Sequence, residues 1–452
     1  QTATGGASFR GIYVTAGTVN ISTNTIGHST NPNSIQNAGT GLCYGIHTND
    51  ALLNITNNEI ANLTTGTGSI FGIYRGYSTT SIDACTINNN SIHDLTTVSV
   101  STGLSTTMAA CGIVYFPNTS MVNDVVNGNT IYNIHASSTG AVSTAAAGIL
   151  ASNNSAKITA NKIFNILNSS TGITLTAPPI AAGIINRYAD NNLFANNLIS
   201  LGTGQTTNTQ FNGILLPASG NVGSFNAVYN TIYIGGTIAA GDIPSFGFLR
   251  GDNTGTANLI TVNIANNLFY NERTGGTAKQ YALANQCTIL DATGWGANAS
   301  NYNLFVYPNS SIVNLWGPTD YNFADWKINS LCDANSIGEL NTNVPSANIF
   351  TSASAGDLSI KTGEAISWII NGKGYPIAAV NNDYAGNSRS IALADGPTDI
   401  GAYEFTPSVA PSPATPSGSP AVSTTTTYSQ NNQQLGSISW GAGGTPPASI
   451  SF

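Results

Sequence analysis

The stretch Ile55-Thr-Asn-Asn58-Glu-Ile60 decides the fold, because its pattern of apolar residue, asparagine and apolar residue returns along the chain. Before it stands Ile21-Ser-Thr-Asn24-Thr-Ile26. After it come Ile87-Asn-Asn-Asn90-Ser-Ile92, Val126-Asn-Gly-Asn129-Thr-Ile131, Ile158-Thr-Ala-Asn161-Lys-Ile163, Phe194-Ala-Asn-Asn197-Leu-Ile199, Ala227-Val-Tyr-Asn230-Thr-Ile232 and Ile264-Ala-Asn-Asn267-Leu-Phe269. A degenerate copy ends Asn303-Leu-Phe305. Successive asparagines lie 34, 32, 39, 32, 36, 33, 37 and 36 residues apart, so the repeat is near 35 with slack for loops. Upstream of most copies sits a glycine followed by apolar residues, as in Gly45-Ile-His47, Gly72-Ile-Tyr74, Gly112-Ile-Val114 and Gly148-Ile-Leu150.

Each segment is short, β-branched and punctuated by Asn or Gly, which predicts strands of a few residues and leaves no room for a helix in each repeat. Leucine-rich, ankyrin and tetratricopeptide repeats are excluded on that ground. The pattern predicts an all-β fold: a right-handed parallel β-helix of about eight to nine coils, stacked at the strand spacing of about 4.8 Å. The residue after each glycine and those flanking each asparagine form the inner apolar columns, and alternation turns the second residue after glycine outward.

Stacking also explains the composition. Only 7% of the 452 residues are charged, with 12 Lys+Arg against 20 Asp+Glu and a net charge of −8. A column of like charges one coil apart would repel, whereas neutral amides can hydrogen-bond up the stack. Asn24, Asn58, Asn90, Asn129, Asn161, Asn197, Asn230 and Asn267 therefore read as a structural ladder. Asparagine also tolerates the left-handed backbone of a tight turn between strands. The scarcity of cations argues against nucleic acid as a partner, and no apolar run is long enough for membrane insertion. Five cysteines (Cys43, Cys85, Cys111, Cys287, Cys332) are too few for a disulfide scaffold, and an odd number leaves at least one unpaired. Neither zinc-type spacing nor a nucleotide-binding glycine loop is present, so no metal and no cofactor are expected.

Four segments follow. Residues 1–272 are the regular coils; residues 273–405 hold the last coils and a C-terminal cap enriched in tryptophan (Trp295, Trp316, Trp326, Trp368). Residues 406–427 read as a Pro/Ser/Thr-rich linker. Residues 428–452 read as the start of a further, Ig-like β module, from Gly436-Ser-Ile-Ser-Trp440 and Ala448-Ser-Ile-Ser-Phe452.

Within the cap, Asp325-Trp326, Asp333-Ala-Asn-Ser-Ile337, Asp357-Leu-Ser-Ile360, Asn382-Asp383-Tyr-Ala-Gly386-Asn-Ser-Arg389 and Asp399-Ile-Gly-Ala-Tyr-Glu404 follow in order. This succession resembles the C-terminal part of secreted bacterial parallel β-helix proteins of the "choice-of-anchor Q" type, common in Bacteroidota. The resemblance implies a pectate-lyase-like fold and an exported, cell-surface address, with further β modules after a linker. The family is heterogeneous in function, so the activity must be read from a site.

Two candidate sites emerge. Asp50 and Asp83, in adjacent coils and one register apart, are the only acids of the coils near the spacing of a glycosidase carboxylate pair, about 5–9.5 Å. Tyr13, His47 and Tyr74, each second after its glycine, form an outward aromatic column on which sugar rings could lie, with Arg75 as a polar partner. The outward Leu and Ile of later coils call for a covering loop or another chain. The segment 383–389 admits an ion-binding or a folding role, of which folding is the simpler. Three functions are weighed. The first is a surface or adhesin-type β-helix module binding glycans or other surface ligands without catalysis. The second is a polysaccharide lyase or glycoside hydrolase, and the third a self-assembling filament component pairing with copies of itself.

Overall fold

The structure, a computed structural model, describes residues 2–3, 5–49, 51–76, 85–116, 122–152, 155–171, 177–187, 191–217, 222–251, 259–287, 295–296, 299–308, 312–339 and 344–410. The linker beyond residue 410 and the further module at 428–452 lie outside the described residues. The chain forms a parallel β-solenoid of about 8 turns. A typical coil gives three strands, such as Ile70–Arg75, Thr86–Asn88 and Ser91–Thr97. Each pairs in parallel with its equivalents one coil away, which builds three sheets called here the glycine, pre-Asn and post-Asn sheets.

Register places like on like. On the glycine sheet Ile46 pairs with Ile73, Ile73 with Ile113 and Ile113 with Ile149. The pre-Asn column runs Ile55, Ile87, Val126 and Ile158, and the post-Asn column Ile60, Ile92, Ile131 and Ile163. All of these are 0–2% exposed and form one continuous core down the axis. Branched chains suit this lattice because each packs on its own kind above and below.

The glycine is required by that core and not by its backbone angles. A Cβ on Gly148 would lie 2.4 Å from Ile163 Cγ2 and 2.7 Å from the Gly183 carbonyl oxygen, and Gly72 and Gly112 are equally tight against Ile92 and Ile131. The post-Asn isoleucine thus fills the space a side chain would need. The strand bends here: pairing skips each glycine, as between Cys111↔Ala147 and Ile113↔Ile149. Residues on both sides of the bend are offset in consequence, so the residue before glycine and the second after it both face outward.

The asparagine column is a complete ladder. In every coil the ladder asparagine donates its backbone N–H and its Nδ2 to Oδ1 of the next, as from Asn58 to Asn90 at 3.0 and 2.9 Å. From Asn58 onward its other Nδ2 hydrogen reaches a carbonyl of the preceding coil, as from Asn58 to Ile21 O at 2.9 Å, whereas Asn24 turns to Ser22 O of its own coil. Asn303, the degenerate copy, is a full member, receiving from Asn267 and donating its N–H to Ser336 Oγ, where the ladder stops. The left-handed backbone falls on the residue before the ladder asparagine, including Thr23, Asn57, Asn89, Ala160, Asn196, Tyr229 and Asn266, and not on the ladder residue itself. Ladder asparagines are tied to the coils on both sides, and the neighbour absorbs the turn.

Alanine in that turn column has neither the backbone freedom of glycine nor the local hydrogen bonding of asparagine. Ala160 sits at φ 50°, where a Cβ costs about 1–2 kcal/mol. Ala160→Gly is expected to raise stability by about 0.5–1 kcal/mol once the greater unfolded-state freedom of glycine is deducted. A urea midpoint no higher than that of the parent protein would show that the turn is not strained.

The C-terminal end is closed by the helix Phe323–Ser330, whose Trp326 is fully buried against Trp295 and Trp316, with ring centroids 6.4 and 5.7 Å away. Trp326 Nε1 donates to Asp333 at 2.8 Å, and Ser300 and Ser336 donate to the same carboxylate. Trp368 is not part of this plug; its Nε1 donates to Val409 O. Residues 344–410 turn back along the side of the rod instead of extending it. Val344, Ile349, Phe350, Leu358 and Ile370 bury Leu198, Tyr233, Leu268 and Tyr270 of the post-Asn sheet.

The acidic motifs of this segment fasten it down. Asp383 accepts from Asn387 N and Nδ2 and from Glu404 N. Arg389 pairs with Glu404, donates to Gly401 O and Asn196 Oδ1, and lies over the Tyr229 ring at 4.1 Å. These contacts give residues 383–389 a folding role. All five cysteines are buried free thiols. Among the described residues no helix is long and apolar enough to cross a membrane.

Candidate binding face

On the outer side of the glycine sheet, the first three coils bring together the aromatic residues that the alternation selected. Tyr13 and His47 lie with centroids 4.9 Å apart, and His47 and Tyr74 meet edge to face at 5.0 Å. The bend at glycine adds the residues just before it. Tyr44 stacks on His47 at 4.4 Å and meets Tyr74 at 5.4 Å, and Phe71 supports Tyr74 at 5.5 Å. Arg10 completes the group. Its Nε donates to His47 Nδ1 at 2.8 Å, and its guanidinium lies 4.7 Å from the Tyr13 ring and 5.5 Å from the Tyr44 ring.

Burial and the positive charge of Arg10 push the His47 pKa down to about 4, so at neutral pH the imidazole is uncharged and its Nδ1 can accept that bond. Tyr44 is driven the other way, to about 12, chiefly by burial. The cluster is graded in exposure: Tyr13 is 50% exposed and His47 only 7%. Tyr13 and the Arg10 cation are open to solvent, while the buried Tyr44 and His47 pack beneath them and beside Tyr74.

Arg75 does not join it. Counting on from the bend, the third residue after glycine points into the rod, and Arg75 is fully buried there, pairing in register with the inward Tyr115. Its guanidinium donates to Gly76 O and lies near Cys85. Arg10 occupies the place on the face that Arg75 was expected to fill. Arg10 and Tyr44 were not legible in the sequence because strict alternation through the glycine turns them inward, and the skip at glycine shows only in the strand pairing. Farther along the same column Val114 and Leu150 are fully buried within the single chain, with Met108 packed in the same outer cluster. The covering expected for these residues is supplied without another chain.

The proposed acid pair, Asp50 and Asp83, lies outside the described residues. Another acidic group does come together, on the post-Asn sheet: His93 Nδ1 is 2.7 Å from Asp94, and its Nε2 is 3.6 Å from Glu59. His93, Tyr132 and Phe164 stack at 4.6 and 4.7 Å with nearly parallel rings, so each covers the other's face and presents an edge outward. That geometry suits a structural column better than a platform for a sugar ring. Among the described residues no group of three His, Cys, Asp or Glu could hold a metal ion.

The fold and this face define the chain as a parallel β-solenoid with a rigid aromatic surface at one end. No protein-family model matches the chain, and no curated protein matches it.

Proposed function

We propose that the protein is a non-catalytic, extracellular or cell-surface β-helix module that binds glycans through the face formed by Tyr13, Tyr44, His47 and Tyr74. The observation that carries the reading is the convergence of these rings from three separate coils onto one partly exposed surface with Arg10 among them. Sugar recognition by aromatic side chains needs fixed rings bordered by hydrogen-bonding groups, and the solenoid fixes them at no further entropic cost on binding. The order of motifs in 325–404, which resembles the "choice-of-anchor Q" proteins, supports an exported address and attachment to further modules.

Tyr13 is the most exposed ring and makes the clearest test. Tyr13→Ala is expected to weaken binding to the best ligand of a polysaccharide panel about tenfold, the effect of losing one aromatic contact of 1–1.5 kcal/mol, with the melting temperature nearly unchanged. Equal binding by the variant would remove the face from consideration. Release of reducing ends or unsaturated products by the parent protein, abolished in Asp83→Asn, would replace the module reading with an enzyme.

A further inference from the structure

We propose that the ligand of this face is an acidic polysaccharide, whose sugar-borne oxyanion is taken by the two outward Nη groups of Arg10. The inference rests on the glycan reading above and deepens it.

Four of the six described arginines, Arg75, Arg250, Arg273 and Arg389, are 0–5% exposed and serve the interior. Arg10 is exposed, and neither of its Nη nitrogens donates to a described residue. Its other features are all in use. Nε is tied to the neutral His47, and the guanidinium is held against Tyr13 and Tyr44. A guanidinium fixed in this way presents its remaining edge as a two-pronged donor, which matches the paired oxygens of a carboxylate or a sulfate ester. The Tyr13 and Tyr44 rings attract the guanidinium electrostatically and help hold it in one orientation, so less freedom is lost when an anion binds than at a free surface arginine. With a net charge of −8 the chain as a whole repels anions, so the attraction must be local. One fixed fork beside Tyr13 supplies both parts, a charge contact and an aromatic edge against the sugar.

Calorimetric titration of the whole chain with oligosaccharides of equal length tests this: an alginate oligomer carrying carboxylates, a carrageenan oligomer carrying sulfate esters, and a neutral cello-oligomer. The expected result is binding of at least one acidic oligomer ten or more times tighter than the neutral one, weakening with added salt. That preference should be lost in Arg10→Gln and only partly kept in Arg10→Lys, which retains charge without the fork. The arm that binds identifies the oxyanion. If neutral and acidic oligomers bind alike, or Arg10→Gln binds as the parent does while Tyr13→Ala is weakened, the acidic assignment falls and the glycan reading stands. If none of the three binds, both fall. Unchanged circular dichroism and melting of the Arg10 variants, expected for an exposed side chain, tie any loss to the contact itself.

Discussion

Replacing Asn161 by alanine is expected to destabilise the rod by roughly 4 kcal/mol, read as a large fall in the urea midpoint. Asn161 is fully buried, and its Oδ1 accepts from Asn129 N at 3.1 Å and Asn129 Nδ2 at 2.9 Å. Its Nδ2 donates to Val126 O and to Asn197 Oδ1, both at 3.0 Å. Alanine orphans two donors on Asn129 and one acceptor on Val126, all inside the stack, and each unsatisfied group costs about 1–3 kcal/mol. Asn161→Asp keeps the acceptor but loses both Nδ2 donors and sets a charge against Asn197 Oδ1. Its cost should be at least as large at neutral pH and should shrink as the carboxyl protonates in acid. Asn24, at the partly exposed start of the ladder, is the control: its Oδ1 receives nothing from a described residue, so Asn24→Ala should cost about 1 kcal/mol or less. Equal effects at Asn24 and Asn161 would mean that the ladder is not what holds adjacent coils together.

Gly148→Ala tests the second repeated element. The added Cβ would stand 2.4 Å from Ile163 Cγ2, which could shift, and 2.7 Å from the Gly183 carbonyl oxygen, which is part of a paired strand. Overpacking of this kind costs about 1–3 kcal/mol, and the backbone contact puts the expected value near the top of that range. The double variant Gly148→Ala with Ile163→Ala should cost less than the sum of its two single changes, because alanine lacks the Cγ2 that the new Cβ would meet; Ile163→Ala alone should cost about 2–5 kcal/mol. A Gly148→Ala protein as stable as the parent would show that the strand can open at the bend. Such variants are expected to loosen neighbouring coils first, since each coil of a solenoid contacts mainly the next.

The repeats made the scaffold legible because stacking imposes the same demand on every coil. Asparagine recurs at its position since only a short neutral amide both accepts from the coil on one side and donates to both, and a charge deficit follows from the same lattice. The isoleucine columns were equally visible. The candidate site was legible in part. Tyr13, His47 and Tyr74 follow from simple alternation, but Arg10 and Tyr44 were hidden by the bend at glycine, and Arg75 was placed outside although its parity after the bend sends it in. The left-handed residue was misplaced by one for a related reason: composition identified the turn, and only backbone geometry assigned it to the neighbour of the ladder asparagine.

The sequence by itself determined the coil, its period, its ladder and its core, because these are local patterns repeated until chance is an inadequate account of them. Tertiary structure alone decided where the irregular C-terminal segment goes. Nothing in its composition distinguishes a plug over the end of the core from a cover along the side, and the protein uses Phe323–Ser330 for the first and residues 344–410 for the second. It also decided which arginine reaches the aromatic face, since a one-residue skip in pairing reverses the direction of every side chain before it.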